Sequence, residues 1–436
     1  MTDKQTSHRH KSVIISEIEE NGTIVETILR PQKNDTAFVI ARSDNVEIKP
    51  AWDVRGTEYV PIRAINNLLK HGALLLPSDV ASYGNTEGLA AEIEAYIRRY
   101  VSLSNQAIGL AAVYVLLSWV YDAFNEVPYL RFRGDYGTGK TRALMVIGSL
   151  CYKAFFASGA STVSPIFHTL DTFKGTLIFD EADFRFSDEK AELVKILNNG
   201  NVKGFPVLRT QVTPQKEFNP RAFAIFGPKI VGMRRSYDDR ALESRFLTIE
   251  MEPGHADGVP INLPDEQKEE ALALRNKLLM YRLRNRLSVR LDPSLADPRL
   301  EPRMNQILLP LLSVAPDDEI RASIRDMARA LHAGILSERG SSTEGQVVSV
   351  LGKLGPQPDI ALSDIAAAFV EAFGRDYERP ITNRWIGAIL RRLGVGLYKS
   401  NGVVVLVPGQ GERIAKLVER YGVGDTVGKS TESSAS

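Results

Sequence analysis

The stretch YLRFRGDYGTGKTRALMVIG, residues 129–148, decides the fold of the chain. Its first five residues predict a short strand, and the residues after Lys140 predict an amphipathic helix. Between them, Gly134 to Thr141 satisfy the pattern Gly-x-x-x-x-Gly-Lys-Thr. Glycines at such a turn let backbone N–H groups point at phosphate oxygens, and the helix N-terminus adds the positive end of its dipole. The sequence therefore predicts a cradle for a chain of phosphates.

The ligands expected in this cradle are ATP and Mg²⁺. Lys140 is expected to reach the β- and γ-phosphates, and the Thr141 hydroxyl to bind Mg²⁺. The alternative is a chance glycine-rich turn, but the order of strand, loop, Lys-Thr pair and helix favours the cradle. The predicted nucleotide contacts are Gly134, Asp135, Tyr136, Gly137, Thr138, Gly139, Lys140, Thr141 and Arg142.

A second motif, GTLIFDEADF at residues 175–184, begins with an apolar run typical of a strand inside a parallel sheet. Asp180 ends that run, at the edge where open α/β sheets bind ligands. We expect Asp180 to hold Mg²⁺ together with Thr141, and Glu181 to polarise the attacking water as general base. The alternative is a pair of solvated acids at a strand end.

Residues 180–183 spell the tetrapeptide after which DEAD-box RNA helicases are named. That family needs a second RecA-like domain with a His-x-x-Gly-Arg-x-x-Arg motif, and none of the six histidines begins one. The region after Met251 also has a helical pattern without alternating strands. We therefore interpret Ala182 and Asp183 as coincidence.

Composition limits the class of protein. The net charge is +1, so any contact with nucleic acid must come from local basic patches. The single cysteine, Cys151, excludes internal disulfides and multi-cysteine zinc sites, and its apolar surroundings predict a buried thiol. The polar first eleven residues lack a secretory signal, and the apolar run 107–121 falls short of the ~20 residues of a membrane span. We expect a cytoplasmic protein with no membrane partner, and a buried core helix at 107–121.

The pattern divides the chain into modules. Strands alternate with helices from about 128 to 251, which predicts an α/β fold with a parallel sheet covered by helices. Asn21-Gly22 predicts a type I′ hairpin near the start of the chain. The predicted segments are a disordered start at 1–11, a β-rich module at 12–80, a helical lead-in at 81–127, an ATPase core at 128–255, a helical lid at 256–339, a small domain at 340–422 and a disordered tail at 423–436.

Residues 128–252 resemble the AAA+ superfamily of ATPases. Residues 195–228 resemble, in layout, the segment that carries an extra hairpin before the fourth core strand in superfamily-3 viral helicases and minichromosome-maintenance helicases. Ser244-Arg245-Phe246 resembles the SRF box that supplies the arginine finger in the latter. The resemblance implies that Arg245 acts on the nucleotide of a neighbouring subunit, in a homo-oligomeric ring of six. The alternative for Arg245 is an ordinary surface helix with acidic partners.

Two departures from the family pattern stand out. The strand expected as the fourth, residues 221–227, is followed by Pro228 and Lys229 instead of a small polar sensor residue, so Lys229 is the candidate sensor. The segment before Asp180 is too short for the helix insertion of minichromosome-maintenance proteins. Arg303 is a candidate second sensor, and the basic helix around 275–287 is expected to be a solvated lid helix.

Two regions could contact DNA. The predicted hairpin carries Lys203, Arg209 and Lys216, which in a ring would line the pore and track a single strand. Its alternative is an ordinary hairpin edged with cations. Residues 340–422 predict three helices, the second capped by Ser363 and the third by Thr382, and a hairpin across Asn401-Gly402. Three helices and a hairpin make a winged helix, with Arg384 and Arg391 on its third helix. Winged helices bind either DNA or protein.

The resemblance implies an ATP-dependent ring helicase or translocase acting on DNA, in the replication of a mobile element, plasmid or virus. The main alternative is an AAA+ ATPase that loads or remodels DNA-bound proteins without unwinding. A further alternative is a signalling or protein-remodelling ATPase.

Overall fold

The computed structural model describes residues 10–43, 45–180, 188–210, 219–237, 239–254, 258–355, 357 and 359–424. The described residues form two compact units, which divide between Ala328 and Arg329. The strands are β1 His10–Ile14, β2 Ser16–Ile18, β3 Ile24–Arg30, β4 Asp35–Arg42, β5 Asn45–Lys49, β6 Trp52–Val54, β7 Thr57–Pro61, β8 Tyr129–Arg133, β9 Phe155–Ser158, β10 Leu177–Asp180, β11 Val207–Arg209, β12 Arg221–Phe223, β13 Lys229–Met233, β14 Phe246–Glu250, β15 Leu397–Ser400 and β16 Val403–Leu406.

The helices are α1 Asn67–Lys70, α2 Thr86–Tyr100, α3 Asn105–Val120, α4 Lys140–Gly148, α5 Val163–Phe173, α6 Asp188–Asn199, α7 Arg240–Glu243, α8 Glu266–Asn285, α9 Pro302–Val314, α10 Asp318–Ser341, α11 Thr343–Leu354, α12 Leu362–Phe373, α13 Asn383–Arg392 and α14 Gly411–Tyr421. The longest of them, α10, has 24 residues.

A five-stranded parallel sheet, in the order β14-β8-β13-β10-β9, is the centre of the first unit. On one face, Leu177 and Phe179 pack in a single cluster with α5 and α6. On the other face, Ile178 lies so close to α4 that a Cβ at Gly148 would be 2.9 Å from its side chain. The predicted α/β class, a P-loop core with helices on both faces of a parallel sheet, is confirmed.

The hairpin before the fourth core strand is present, but the strand itself lies later in the chain than predicted. Strand β12 pairs antiparallel with β11 and forms the hairpin, with Arg209 opposite Arg221. The fourth core strand is β13, which lies between β8 and β10. All five residues of β13 are buried, as a strand covered on both faces requires, whereas Arg221 and Ala222 are exposed. The prediction of residues 221–227 as the core strand was therefore wrong.

The β-rich segment at the start of the chain continues into the core. Strands β2 to β5 form an antiparallel sheet, and β1, β7 and β6 form a second one. Five residues connect β2 and β3, and the outer two, Glu19 and Thr23, also pair through their backbones, so the turn has three residues, Glu20 to Gly22. Because Asn21 does not have the positive φ of a type I′ turn, the predicted two-residue turn at Asn21-Gly22 was wrong. Further on, Leu74 forms an antiparallel bridge with Phe155 of β9, and the Leu75 N–H donates to Ala154.

Helix α3 is the apolar core helix that the sequence predicts. Thirteen of its residues are buried, including Trp119, whose indole N–H donates to the Leu150 carbonyl. Together with the turn after it, residues 105–123 are long and apolar enough to cross a membrane, but 78% of that window is buried inside the protein. Cys151 is buried as predicted, and burial raises the pKa of its thiol to about 12.

Helix α8 is not the solvated lid helix that its basic sequence suggests. Arg275 is 7% exposed and donates to the carbonyl of Ser149, in the segment that follows α4. Arg282 is 2% exposed and pairs with Glu26 of β3 at 2.7 Å. Burial of these two guanidinium groups fixes α8 against both the core and the β-rich segment.

The second unit contains the predicted three helices, α11, α12 and α13, and a hairpin of β15 and β16. The hairpin turns through Asn401 and Gly402, both at positive φ, as a type I′ turn requires. Thr382 caps α13 by accepting from the Trp385 N–H, as predicted. Helix α12 begins earlier than predicted, with Ala361 at its cap position, so the expected cap at Ser363 was wrong.

Candidate nucleotide site

The loop between β8 and α4 has the backbone of a phosphate cradle. Gly137 and Gly139 have φ values of +74° and +86°, which glycine adopts without strain. A Cβ at Gly134 would lie 2.4 Å from the Met251 carbonyl oxygen and 2.8 Å from Thr138 Oγ1. No side chain larger than hydrogen therefore fits at position 134 without a shift of the backbone around it.

Lys140 is the first residue of α4, and its side chain turns back over the loop. The ammonium group donates to the carbonyl oxygens of Gly134 at 2.8 Å and Asp135 at 2.6 Å. The Thr138 hydroxyl donates to the same Asp135 carbonyl at 2.9 Å and so stabilises the turn of the loop. The Lys140 ammonium group therefore lies against the loop whose backbone would surround a phosphate chain.

Thr141 and Asp180 come together at the carboxyl edge of the sheet. Thr141 Oγ1 donates to Asp180 Oδ2 at 2.6 Å. Gly232 leaves room for the carboxylate, because a Cβ there would lie 3.0 Å from Asp180 Oδ1. A hydroxyl and a carboxylate are the hard oxygen ligands that Mg²⁺ prefers, so the two side chains fit the ion.

The ligand set for Mg²⁺ is small. Within the described residues, no group of three or more His, Cys, Asp or Glu side chains could hold a metal ion. The donors fit an ion that keeps several waters and takes further oxygens from a bound phosphate chain. Glu181, the predicted general base, directly follows Asp180 and lies outside the described residues.

A cavity of about 420 Å³ opens beside the cradle. This volume lies within the range of small-molecule sites, roughly 300–1,000 Å³. Apolar side chains from three segments contribute to it, which the sequence patterns did not identify because those segments are distant in the chain. The lining residues outside the loop are Val101, Ser102, Arg142, Met251, Gly254, Val259 and Ile261.

Arg234 is a site residue that the sequence reasoning missed. It follows the last residue of β13, and its guanidinium carbon lies 3.5 Å from the centre of the Tyr136 ring in the phosphate loop. Because the fourth core strand was predicted at residues 221–227, the sensor residue was sought near residue 229 and not after Met233. The sequence offers only a weak signal for it, the apolar run 230–233, because residues 221–227 form a similar apolar run.

Lys229 does not lie at the site, which corrects its prediction as the sensor. It is the first residue of β13 and pairs with Leu177, at the end of the sheet opposite Asp180. Its ammonium group is completely buried and donates to the carbonyls of Gly200, Ile225 and Gly227 at 2.9–3.0 Å. Burial lowers the pKa of Lys229 to about 7. Its contacts instead fix the base of the hairpin to the sheet.

Arg245 also lies at the opposite end of the sheet from the cradle of its own chain. Its carbonyl accepts from the N–H of Tyr129, the first residue of β8, while the phosphate loop follows the last. Four residue steps along β8 separate these ends by about 13 Å. The guanidinium donates to Asn201 and Asn198. Arg245 and Arg303 both line a second cavity, which is separate from the one beside the phosphate loop.

The five candidate DNA contacts have different surroundings. Lys203 donates to the Asp122 carbonyl at 2.8 Å, at the base of the hairpin, and Arg209 pairs with Glu192 at 3.1 Å. Lys216, near the predicted tip, lies outside the described residues. In the second unit, Arg384 and Arg391 are exposed and lie two turns apart on α13.

No protein-family model matches the sequence, and no curated protein matches it significantly. Among solved structures, the C-terminal region of NrS-1 is 14% identical, with 88% of this chain and 97% of that chain covered and a TM-score of 0.38. Cch of SCCmec type IV, an active helicase, is 13% identical over 94% and 80% of the two chains, with a TM-score of 0.44. Cdc6p from Pyrobaculum aerophilum is 14% identical over 73% and 95%, with a TM-score of 0.23. Because all three TM-scores are below 0.5, these similarities decide neither the family nor the function.

Proposed function

We propose that the chain is an ATP-driven DNA helicase or translocase of the AAA+ type that works as a ring. The observation that carries the proposal is the pairing of Thr141 with Asp180 beside the Lys140 loop, because it joins the two motifs that hydrolysis of a nucleoside triphosphate requires. Mg²⁺, when bound to these two side chains, would neutralise charge on the β- and γ-phosphate oxygens.

The chain's own residues then have separate tasks. Lys140 holds the phosphate chain as a point charge, and the backbone N–H groups of the loop and of α4 bind the remaining phosphate oxygens. Glu181, directly after the metal carboxylate, accepts a proton from the attacking water. The apolar cavity next to the loop takes the base and excludes water from one side of the site.

The position of Arg245 supports a ring. It lies about 13 Å along the sheet from its own phosphate loop, a position that fits an arginine acting on the nucleotide of a neighbouring chain. A head-to-tail contact of this kind repeats, and it closes into a ring when its rotation permits. Six subunits are the number that the resemblance to ring helicases implies.

DNA contact is proposed at two places. The β11–β12 hairpin, whose base is fixed by Lys229, carries Arg209 and Lys216. Cations presented by each subunit in a pore follow a phosphate backbone without reading its sequence. On α13, Arg384 and Arg391 form an exposed pair suited to duplex phosphates. The compact architecture supports, by analogy of fold alone, a role in replication of a mobile element, plasmid or virus.

Two variants and one measurement test the proposal. Lys140→Ala should abolish ATP binding, whereas Glu181→Gln should keep ATP binding and lower turnover by about 10²–10⁴-fold. ATP hydrolysis of the unaltered protein is measured with and without single-stranded DNA, and we expect stimulation. Turnover retained in Glu181→Gln would remove the catalytic assignment. A lack of both DNA stimulation and DNA binding would overturn the DNA role and favour a protein-remodelling ATPase.

A further inference from the structure

Arg245 is held by two asparagine side chains, of which Asn201 is buried and Asn198 is half-buried. Its Nε donates to Asn201 Oδ1 at 3.0 Å, and its Nη1 donates to Asn198 Oδ1 at 3.1 Å. Both asparagines belong to the end of α6 and the turn after it. Asn201 is only 1% exposed, and a buried amide is costly unless its donors and acceptors are satisfied.

Glu126 provides that partner. Asn201 Nδ2 donates to Glu126 Oε1 at 2.8 Å, so the amide accepts from the arginine on one side and donates to the carboxylate on the other. The same carboxylate oxygen accepts from Arg303. The backbone holds the pair side by side, because the Val127 N–H donates to the Asn201 carbonyl at 2.9 Å.

This arrangement faces a cavity of about 290 Å³ that the phosphate loop of the same chain does not line. Two guanidinium groups, Arg245 and Arg303, are brought to one cavity, and three asparagines and the exposed ring of Phe205 complete most of the wall. The pKa of Arg245 is lowered mainly by burial and secondly by the positive charge of Arg303. A cation in such surroundings gains a large interaction when an anion enters.

We propose that Asn198 and Asn201 are positioning residues for Arg245, and that Glu126 fixes Asn201 and so orients the guanidinium before the neighbouring subunit's nucleotide meets it. The proposal rests on the proposed function, because it needs Arg245 to act on another chain. The guanidinium also donates to the Ala241 carbonyl, and a group held by two asparagine oxygens and a backbone carbonyl loses little further freedom in the transition state. The asparagines themselves need not touch the nucleotide.

The kinetic effect should fall on the chemical step. Asn201→Ala should lower kcat for ATP by about 10–100-fold, the size of effect expected from a small misplacement of a catalytic group. The KM for ATP should stay within about twofold, since the finger acts mainly in the transition state. Glu126→Gln, which keeps an oxygen acceptor for Asn201, should lower kcat less than Glu126→Ala does.

Asn199→Ala is the matched control. Asn199 lies on the same helix end and lines the same cavity, but its side chain donates to the carbonyl of Lys195 in its own helix. Its removal should leave kcat unchanged within about twofold. A loss equal to that of Asn201→Ala would show that the helix end matters only for packing, and would overturn the proposal.

Mixed assemblies separate positioning across subunits from damage within one chain. Asn201→Ala chains are mixed in equal amounts with Lys140→Ala chains, both of which should be inactive or weak alone. About one interface in four then joins an intact phosphate loop to an intact Asn201 and Arg245, so activity should reappear. Arg245→Ala chains mixed with Lys140→Ala chains serve as the benchmark. If Asn201→Ala chains do not fold, Asn198→Ala, at a more exposed position, takes their place.

Recovery in both mixtures to a similar level supports the proposal. Recovery in the Arg245→Ala mixture without recovery in the asparagine mixture overturns it, because the asparagine would then act only within its own chain. If neither mixture recovers, the action of Arg245 on a neighbour fails, and the positioning role fails with it.

Discussion

Thr141 and Asp180 are 39 residues apart in the chain, yet the threonine hydroxyl donates to the aspartate carboxylate across 2.6 Å. The first follows the phosphate loop and the second ends a strand of the same sheet. Strand β13 lies between β8 and β10, and its residue Gly232 lies next to the carboxylate. The meeting of these two oxygen ligands is the geometric basis for placing Mg²⁺-dependent hydrolysis at this edge.

Replacement of the threonine hydroxyl tests that geometry. Thr141→Val keeps the branched shape of the side chain and loses the oxygen, so Mg²⁺-dependent ATP turnover should fall by about 100-fold. Thr141→Ser is the control, because it keeps the hydroxyl and should retain turnover within about threefold. ATP turnover is measured as the rate of phosphate release at saturating Mg²⁺. A valine variant as active as the serine variant would contradict the assignment.

Lys229 should matter for stability, with a dependence on pH. Its folded-state pKa of about 7 lies below the ordinary value of 10.5, so the unfolded chain binds more protons between these two pH values. The contribution of Lys229 to the free energy of unfolding therefore increases as the pH rises through that window, by up to about 1.4 kcal/mol per pH unit. Lys229→Met should lose this part of the slope.

The check is denaturant unfolding of both proteins at several pH values from about 7 to 10. Lys153, whose pKa burial also lowers, to about 8, is present in both and cancels in the comparison. ATP turnover of folded Lys229→Met should be close to that of the unaltered protein, because the lysine lies at the far end of β13. Equal pH slopes, together with a loss of turnover, would restore Lys229 to a role in the nucleotide site.

Glu26 should be essential for joining the β-rich segment to the core. It is 1% exposed and pairs with Lys153 at 3.0 Å and with Arg282 at 2.7 Å. Burial would raise the pKa of this carboxyl, but the two cations hold it below its usual value. Glu26→Gln leaves the buried Lys153 without its counter-charge and removes one of the two carboxylates that pair with Arg282, the other being Asp122, which should cost about 3–5 kcal/mol of unfolding free energy.

An exposed glutamate provides the control for Glu26. Glu47 lies on β5 and pairs with Lys49 at the surface, so Glu47→Gln should leave the unfolding free energy nearly unchanged. Both variants are compared by chemical denaturation. Equal and small effects would show that the β-rich segment is only loosely connected to the core.

The sequence alone was sufficient for the elements that local chemistry decides. The loop glycines, the Lys-Thr pair and the acidic strand end predicted the cradle, and Thr382 and Asn401-Gly402 predicted a cap and a turn correctly. Each of these depends on a few neighbouring residues. The pairing of Thr141 with Asp180 followed from the rule that parallel strands present their carboxyl ends at one edge.

The sequence was insufficient where distant segments compete for the same place. RAFAIFG and KIVGM are both apolar runs, and only the packing of the sheet shows that the second enters it. That ambiguity hid Arg234 and placed Lys229 at the wrong end of the strand. Arg282 looked like a solvated residue because its buried partner, Glu26, lies 256 positions away in the chain.

The exposed arginines of α13 should contribute to duplex binding through phosphates. Arg384→Ala combined with Arg391→Ala should weaken binding of duplexes of different sequence to a similar extent, and should reduce the salt slope by about two. Arg375→Ala, an exposed arginine of the same unit outside α13, should leave the slope unchanged. Duplex affinity is measured by fluorescence anisotropy at several salt concentrations. An unchanged slope in the double variant would favour a protein partner for this unit.

Strand displacement from a forked DNA duplex tests the proposed function most directly. The unaltered chain with ATP and Mg²⁺ should release the labelled strand, while Glu181→Gln, which should still bind ATP, should release none. A different result would contradict the helicase assignment: hydrolysis stimulated by single-stranded DNA with no strand released at any protein concentration. The chain would then be assigned as an ATPase that loads or remodels DNA-bound proteins.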